Sequence, residues 1–183
     1  MNFPKVILKC CAALLCVFSL ASCSGNGLLA PSAPNLNKQL TLTARITTDE
    51  GSFTADFTRS NIGKWQVTVT EPYEVQGVSF ACDHGSFSAA LGDLTADTLT
   101  VDFAASPPAL IISAFENTVQ DSAAAVSYQA DTYTVRSGDC TLTFKQGSPA
   151  PIAMELSTLK AEITDFRITG EIFPDGVDVV VDE

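Results

Sequence analysis

Residues 40–70 read LTLTARITTDEGSFTADFTRSNIGKWQVTVT. Leu40, Leu42, Ala44 and Ile46 fall on one phase of this stretch, and Thr41, Thr43 and Arg45 on the other. After Asp49-Glu50-Gly51 the pattern returns as Phe53, Ala55 and Phe57, and after Asn61-Ile62-Gly63 as Trp65, Val67 and Val69. Alternation of period two marks strands with one face buried and the other in water. The breaks carry the Asp, Asn and Gly that tight hairpin turns require. Strands joined this closely pair antiparallel.

Working outward, the same phase continues through Val78, Phe80 and Cys82, then Phe87, Ala89 and Leu91, then Leu99, Val101 and Phe103. It resumes at Val126, Tyr128 and Ala130, then Tyr133 and Val135, then Cys140, Leu142 and Phe144. The last runs are Ile152, Met154 and Leu156, followed by Ile163, Phe166 and Ile168. Only PPALIISAFENTVQ breaks the period: Leu110, Ile111, Ala114, Phe115 and Val119 follow helical spacing behind prolines that a first turn tolerates. The reading is a mainly β (α+β) domain. About nine strands form a twisted antiparallel meander, an incomplete barrel with one helix, about 107–121, on its concave face. An open curved sheet needs such an apolar plug.

The 183 residues fit one domain, and 46% hydrophobic residues supply its core. Ten Lys+Arg against 21 Asp+Glu give a net charge of -11, a sign that repels phosphates and excludes general nucleic-acid binding.

Residues 1–22 carry Lys5 and Lys9, an uncharged apolar run from Cys10 to Leu20, and then small residues. That is the layout of a secretory signal peptide, too short for a spanning helix. Leu20-Ala21-Ser22-Cys23 resembles the lipobox of bacterial lipoproteins. The resemblance implies a diacylglyceryl group on Cys23, palmitate among its chains, cleavage before that residue and a lipid anchor on the extracytoplasmic face of a cell membrane. Two chains hold stably where one holds marginally. The expected organisation is a signal peptide at 1–22, a lipidated flexible tether at 23–38, a half-barrel domain at 39–170 and an acidic tail at 171–183. A last strand at Val177–Val181 would fall within that tail. Asp175-Gly176-x-Asp178 lacks the Asp-x-Asp-x-Asp-Gly order of a calcium loop.

Candidate chemistry is sparse. His84, the single histidine, sits in a turn beside Asp83 without a Gly-x-Ser-x-Gly elbow, and reads as an exposed polar residue. One His and two Cys beyond Cys23 fall short of a structural zinc site. No nucleotide motif is present, so neither a metal, a cofactor nor an enzymatic activity is expected. Cys82 and Cys140 lie on the apolar phase of their strands, in a compartment that permits oxidation. They are either a disulfide, closing a 58-residue loop, or two buried free thiols.

SFTADFTRSNIGKWQVTVTEPYEVQGVSF, an aromatic-rich hairpin ending in a Pro and a Gly, and the closing ITDFRI resemble the LolA/LolB-like lipoprotein-carrier fold over roughly residues 39–169. The resemblance implies an incomplete barrel with an apolar concavity for acyl chains. Phe53, Phe57, Trp65, Phe80, Phe87, Phe103, Phe115 and Phe144, with Phe166, are the aromatics that would line it or simply fill the core. Two functions follow. In one, a membrane-anchored envelope lipoprotein binds or carries a lipid or acyl ligand. In the other, a structural lipoprotein with a filled core presents a surface to an envelope protein partner. A concavity below about 300 Å³ favours the second.

Overall fold

The computed structural model describes residues 33–92, 94–96 and 105–172. Their strands are β1 (Lys38–Thr48), β2 (Gly51–Asn61), β3 (Lys64–Glu71), β4 (Val78–Asp83), β5 (Ser86–Leu91), β6 (Leu94–Ala96), β7 (Ala125–Tyr128), β8 (Thr132–Ser137), β9 (Cys140–Lys145), β10 (Pro151–Glu155) and β11 (Leu159–Glu171). One helix, α1 (Pro107–Gln120), separates β6 from β7.

All eleven strands form a single sheet in the order β6-β5-β4-β3-β2-β1-β11-β10-β9-β8-β7, with every neighbouring pair antiparallel. The chain therefore lays down two meanders. The first runs outward from β1 to β6, and the second runs inward from β7 to β11. The long pairing of β1 with β11, from Lys38 opposite Glu171 to Thr48 opposite Leu159, joins them at the centre. The edges β6 and β7 do not pair, so the barrel is incomplete. α1 is the link between those two edges.

The alternation quoted above becomes the inner face. Leu40, Leu42, Ala44, Ile46, Ala55, Phe57, Trp65, Val67, Val135, Leu142 and Phe144 are buried in one cluster with Ile111, Ile112 and Phe115 of the helix. Threonines of the opposite phase cover the outer face, where Thr43 donates to Asp56 across the β1–β2 pair at 2.7 Å.

The described residues form eleven strands where about nine are expected: the runs after α1 fall on β7 to β11, and Leu94–Ala96 adds the short β6. Two expectations are corrected. On β10 only Ile152 departs from the predicted phase: a bulge between Pro151 and Ala153 puts Pro151 in the core and leaves Ile152 half-buried, while Met154 is buried as expected. The extra residue lets Pro151 and Met154, three positions apart, share one face. The packed domain also begins before Gln39, since β1 starts at Lys38 and Leu36 is only 2% exposed in the core cluster. The signal peptide and lipobox, the run Leu99–Phe103 and the tail strand Val177–Val181 lie outside the described residues.

Candidate functional site

Helix α1 positions everything that could act. Ser106 at its N-cap is extended, and Pro107 and Pro108 occupy the first turn, where their missing N–H groups have no intrahelical partner to lose. At the other end Asp121 accepts from the Ala123 N–H at 2.8 Å and the Ser137 hydroxyl at 2.6 Å, fixing the exit towards β7. Those two bonds hold the Asp121 carboxyl below its ordinary pKa. Between the ends the helix is buried on most of its circumference, including Ile111, Ile112, Phe115 and, unexpectedly, Glu116.

Glu116, 8% exposed, meets Arg59 of β2, 1% exposed. The two form a bidentate pair, Nε to Oε1 at 2.8 Å and Nη2 to Oε2 at 2.6 Å. Oε1 also accepts from the Trp65 indole at 2.7 Å and the Gly63 N–H at 3.0 Å, and Oε2 from Gln120 at 3.0 Å. The remaining guanidinium donors reach the carbonyls of Leu36 at 2.9 Å and Lys38 at 3.2 Å and the Asn37 side chain at 3.4 Å. The guanidinium carbon lies 5.8 Å from the Trp65 ring centre. All five Arg59 N–H groups are used. Burial alone pushes the Glu116 pKa up, but hydrogen bonds from Arg59, Trp65 and Gly63 and the guanidinium charge outweigh it and leave the carboxyl below its usual range. With its donors consumed, this cluster has nothing left to offer a ligand. It is a clasp holding β2, the β2–β3 turn, residues 36–38 and α1 together.

The aromatics divide around the clasp. Trp65 makes edge contacts with Phe57, at 6.5 Å between ring centres, and with Phe115, at 5.4 Å. Phe144 stacks on Tyr133 at 4.8 Å. Phe57, Trp65, Phe115 and Phe144 are therefore core residues: of the two roles open to them, they fill the core. Phe87 and Phe166 are half-buried against that core, and Phe103 lies outside the described residues.

Phe53 and Phe80 do line a space. A cleft of about 390 Å³ opens where the β1–β2 turn, the ends of β3 and β4 and the first turn of α1 converge. Its walls are mainly Phe53, Val69, Val78, Phe80, Pro107 and Pro108, with Pro72 and Val75 at the lip. The lip follows the cis Glu71–Pro72 bond, and on it Tyr73 is 87% exposed. Two smaller depressions lie elsewhere on the sheet, one of about 210 Å³ over β3 to β5 and one of about 280 Å³ over β2 to β4 beside Lys64 and Asp83.

The remaining candidates stay apart. His84 is in the β4–β5 turn with its side chain 55% exposed, 3.7 Å from Asp83. Cys82 and Cys140 are buried free thiols, so of the two states open to them the structure has the unbridged one. They sit on β4 and β9, and different groups of α1 act on them: the Glu116 charge on Cys82, and a hydrogen bond with Thr118 on Cys140. Burial is the main cause that pushes both thiols up in pKa, which makes them poor nucleophiles. Among the described residues no group of three or more His, Cys, Asp or Glu is placed to hold a metal ion.

Sequence reasoning missed the clasp, although a signal existed. Arg59 continues the buried phase of Phe53, Ala55 and Phe57, and Glu116 lies one turn beyond Ile112.

No protein-family model matches the chain, and no curated protein does. Among solved structures it is similar to an uncharacterized conserved protein from Thermus thermophilus, with 11% identity, 78% of this chain and 89% of that one covered, and a TM-score of 0.49. It is also similar to a LolA superfamily protein from Nitrosomonas europaea, with 8% identity, coverages of 78% and 90%, and a TM-score of 0.37. At such values the reading of a site rests on this chain's own geometry.

Proposed function

We propose that this chain is a non-catalytic lipoprotein of the bacterial envelope, anchored through lipid on Cys23, whose half-barrel takes an acyl or similar apolar group into the cleft beside Phe53 and Phe80. The cleft itself is the observation that supports the reading. Its volume of about 390 Å³ is near the lower end of the range for small-molecule sites, about 300–1,000 Å³. Its lining is apolar, and it lies at the end of β1 remote from Lys38, where the tether would enter. It is a site for one chain or a small apolar group, not for a large lipid.

Two measurements test the halves of this proposal separately. Metabolic labelling with palmitate should mark the full chain and leave Cys23→Ser unmarked. Label on both, or on neither, ends the anchoring half. The described residues from 33 onward belong to one compact unit, and the chain from Ser24 onward is to be purified, extracted with organic solvent and weighed by native mass spectrometry. A co-purifying acyl species, lost on Phe80→Ala, supports the ligand half. Its absence favours the second reading, a scaffold presenting its surface to another envelope protein, which the core packing of Phe57, Trp65, Phe115 and Phe144 against the sheet supports.

A further inference from the structure

The cleft differs in kind between wall and rim. The walls are apolar, and among the described residues the only charged one lining it is Glu50. Asp49 precedes Glu50 in the β1–β2 turn, Glu71 precedes the lining residue Pro72, and Glu74 precedes the lining residue Val75. All four carboxylate residues are exposed. The Glu71 carboxylate accepts from the Thr54 hydroxyl at 3.0 Å. Two bases are in register with this rim: Arg45, which pairs with Thr54 across β1–β2, and Lys160, which pairs with Thr47 across β1–β11 and is held by Glu155 at 2.7 Å. Neither base lines the cleft, and the Thr54 bond turns the Glu71 carboxylate to the outer face beside Arg45, so the rim charge rests on Asp49, Glu50 and Glu74.

A chain inserted between Phe53 and Phe80 brings its head group to the rim that carries Glu50 and its neighbours Asp49 and Glu74, and charges act over roughly 8 Å at physiological salt. An anionic head is repelled there and a cationic one attracted. We propose that the cleft selects its apolar ligand by head-group charge, taking an alkyl or acyl chain that carries a cationic head and rejecting the same chain on an anionic head. This rests on the reading of the cleft as the ligand site.

The probes are three detergents of equal chain length, below their micelle concentrations: dodecyltrimethylammonium, dodecyl maltoside and dodecyl sulfate. Amide shifts of Phe53, Val69 and Val78 in the chain from Ser24 onward report where each binds, and titration gives its affinity. The trimethylammonium probe should bind at least about tenfold more tightly than the sulfate, with the maltoside between them and the ratio shrinking as salt is raised. The paired change Glu50→Gln and Glu74→Gln should narrow the ratio. Asp131→Asn, in the β7–β8 turn and outside the cleft lining, should leave it unchanged, which separates the rim from the protein's overall negative charge. Equal or reversed affinities at shifted cleft amides overturn the head-group selection and leave the cleft reading standing. So does a ratio that Asp131→Asn narrows as much as the rim changes do. If none of the three probes moves the cleft amides, both proposals fall.

Discussion

The two ends of α1 rest on the same sheet and could hardly be more different. Towards its C-terminal half, Glu116 is locked into a buried ion pair in which every guanidinium hydrogen has an acceptor. At its N-terminus, two prolines without N–H groups face Phe53 and Phe80 across a gap of about 390 Å³. Apolar contacts tolerate sliding, whereas a bidentate pair has one geometry. The position of the helix is therefore set at the clasp, and the cleft can remain partly unfilled without leaving α1 free to shift. A buried ion pair is weak evidence for net stability, and its value here lies in fixing one arrangement.

The sharpest way to break that contrast is to remove one partner. Glu116→Leu strands the Arg59 charge in the core and leaves the Trp65 and Gly63 donors unpaired, so denaturant unfolding should show a loss of about 3–5 kcal/mol. The double change Arg59→Met with Glu116→Leu removes both charges and should recover most of that loss. If the single change costs less than about 1 kcal/mol, the clasp does not set the helix.

A pH series sharpens the same point with no mutation. The Glu116 carboxyl has a lower pKa folded than unfolded. Its contribution is therefore present in full above the unfolded value of about 4.3 and is lost as pH falls through the folded value. Stability should decline more steeply below about pH 4 in the native chain than in the double variant, followed by thermal melts.

How much of this was readable beforehand depends on period. The strands of β1, β2 and β3 and the helix were legible because their phase runs unbroken through Leu40–Ile46, Phe53–Phe57, Trp65–Val69 and Leu110–Val119. On β10 Ile152 is misplaced because one bulged residue after Pro151 brings Pro151 inward in its stead, and a bulge leaves no compositional mark. Arg59 and Glu116 were overlooked for a different reason. A charge on an apolar phase ends the pattern when residues are sorted by polarity, and only the fold brings its partner from 57 positions away. The cleft is illegible for a third reason: whether an aromatic fills a core or borders a gap depends on where the helix comes to rest. Phe53 and Phe57 share one phase of one strand and end in different roles.

Gly63 links the clasp to the backbone. Its φ of +68° lies in the left-handed region, and a Cβ there would stand 3.1 Å from Nδ1 of His84. Gly63→Ala should cost about 1–2 kcal/mol from the backbone conformation. Adding His84→Ala should relieve only the contact, so a full recovery in that double variant would show that the conformation itself carries no cost.

The smallest effect on stability is expected at the cleft, and that is what makes it diagnostic. Phe80 is half-buried beside a space already open, so truncation removes less area from a packed environment than the roughly 1.5–3 kcal/mol associated with a fully buried side chain. Phe80→Ala should lower stability by about 1 kcal/mol, leave the denaturant m-value unchanged and still weaken any alkyl probe that enters the cleft. A loss as large as that of Glu116→Leu would mean that Phe80 is core after all. The two ends of α1 would then differ only in charge, and the open end would have no claim to be a binding site.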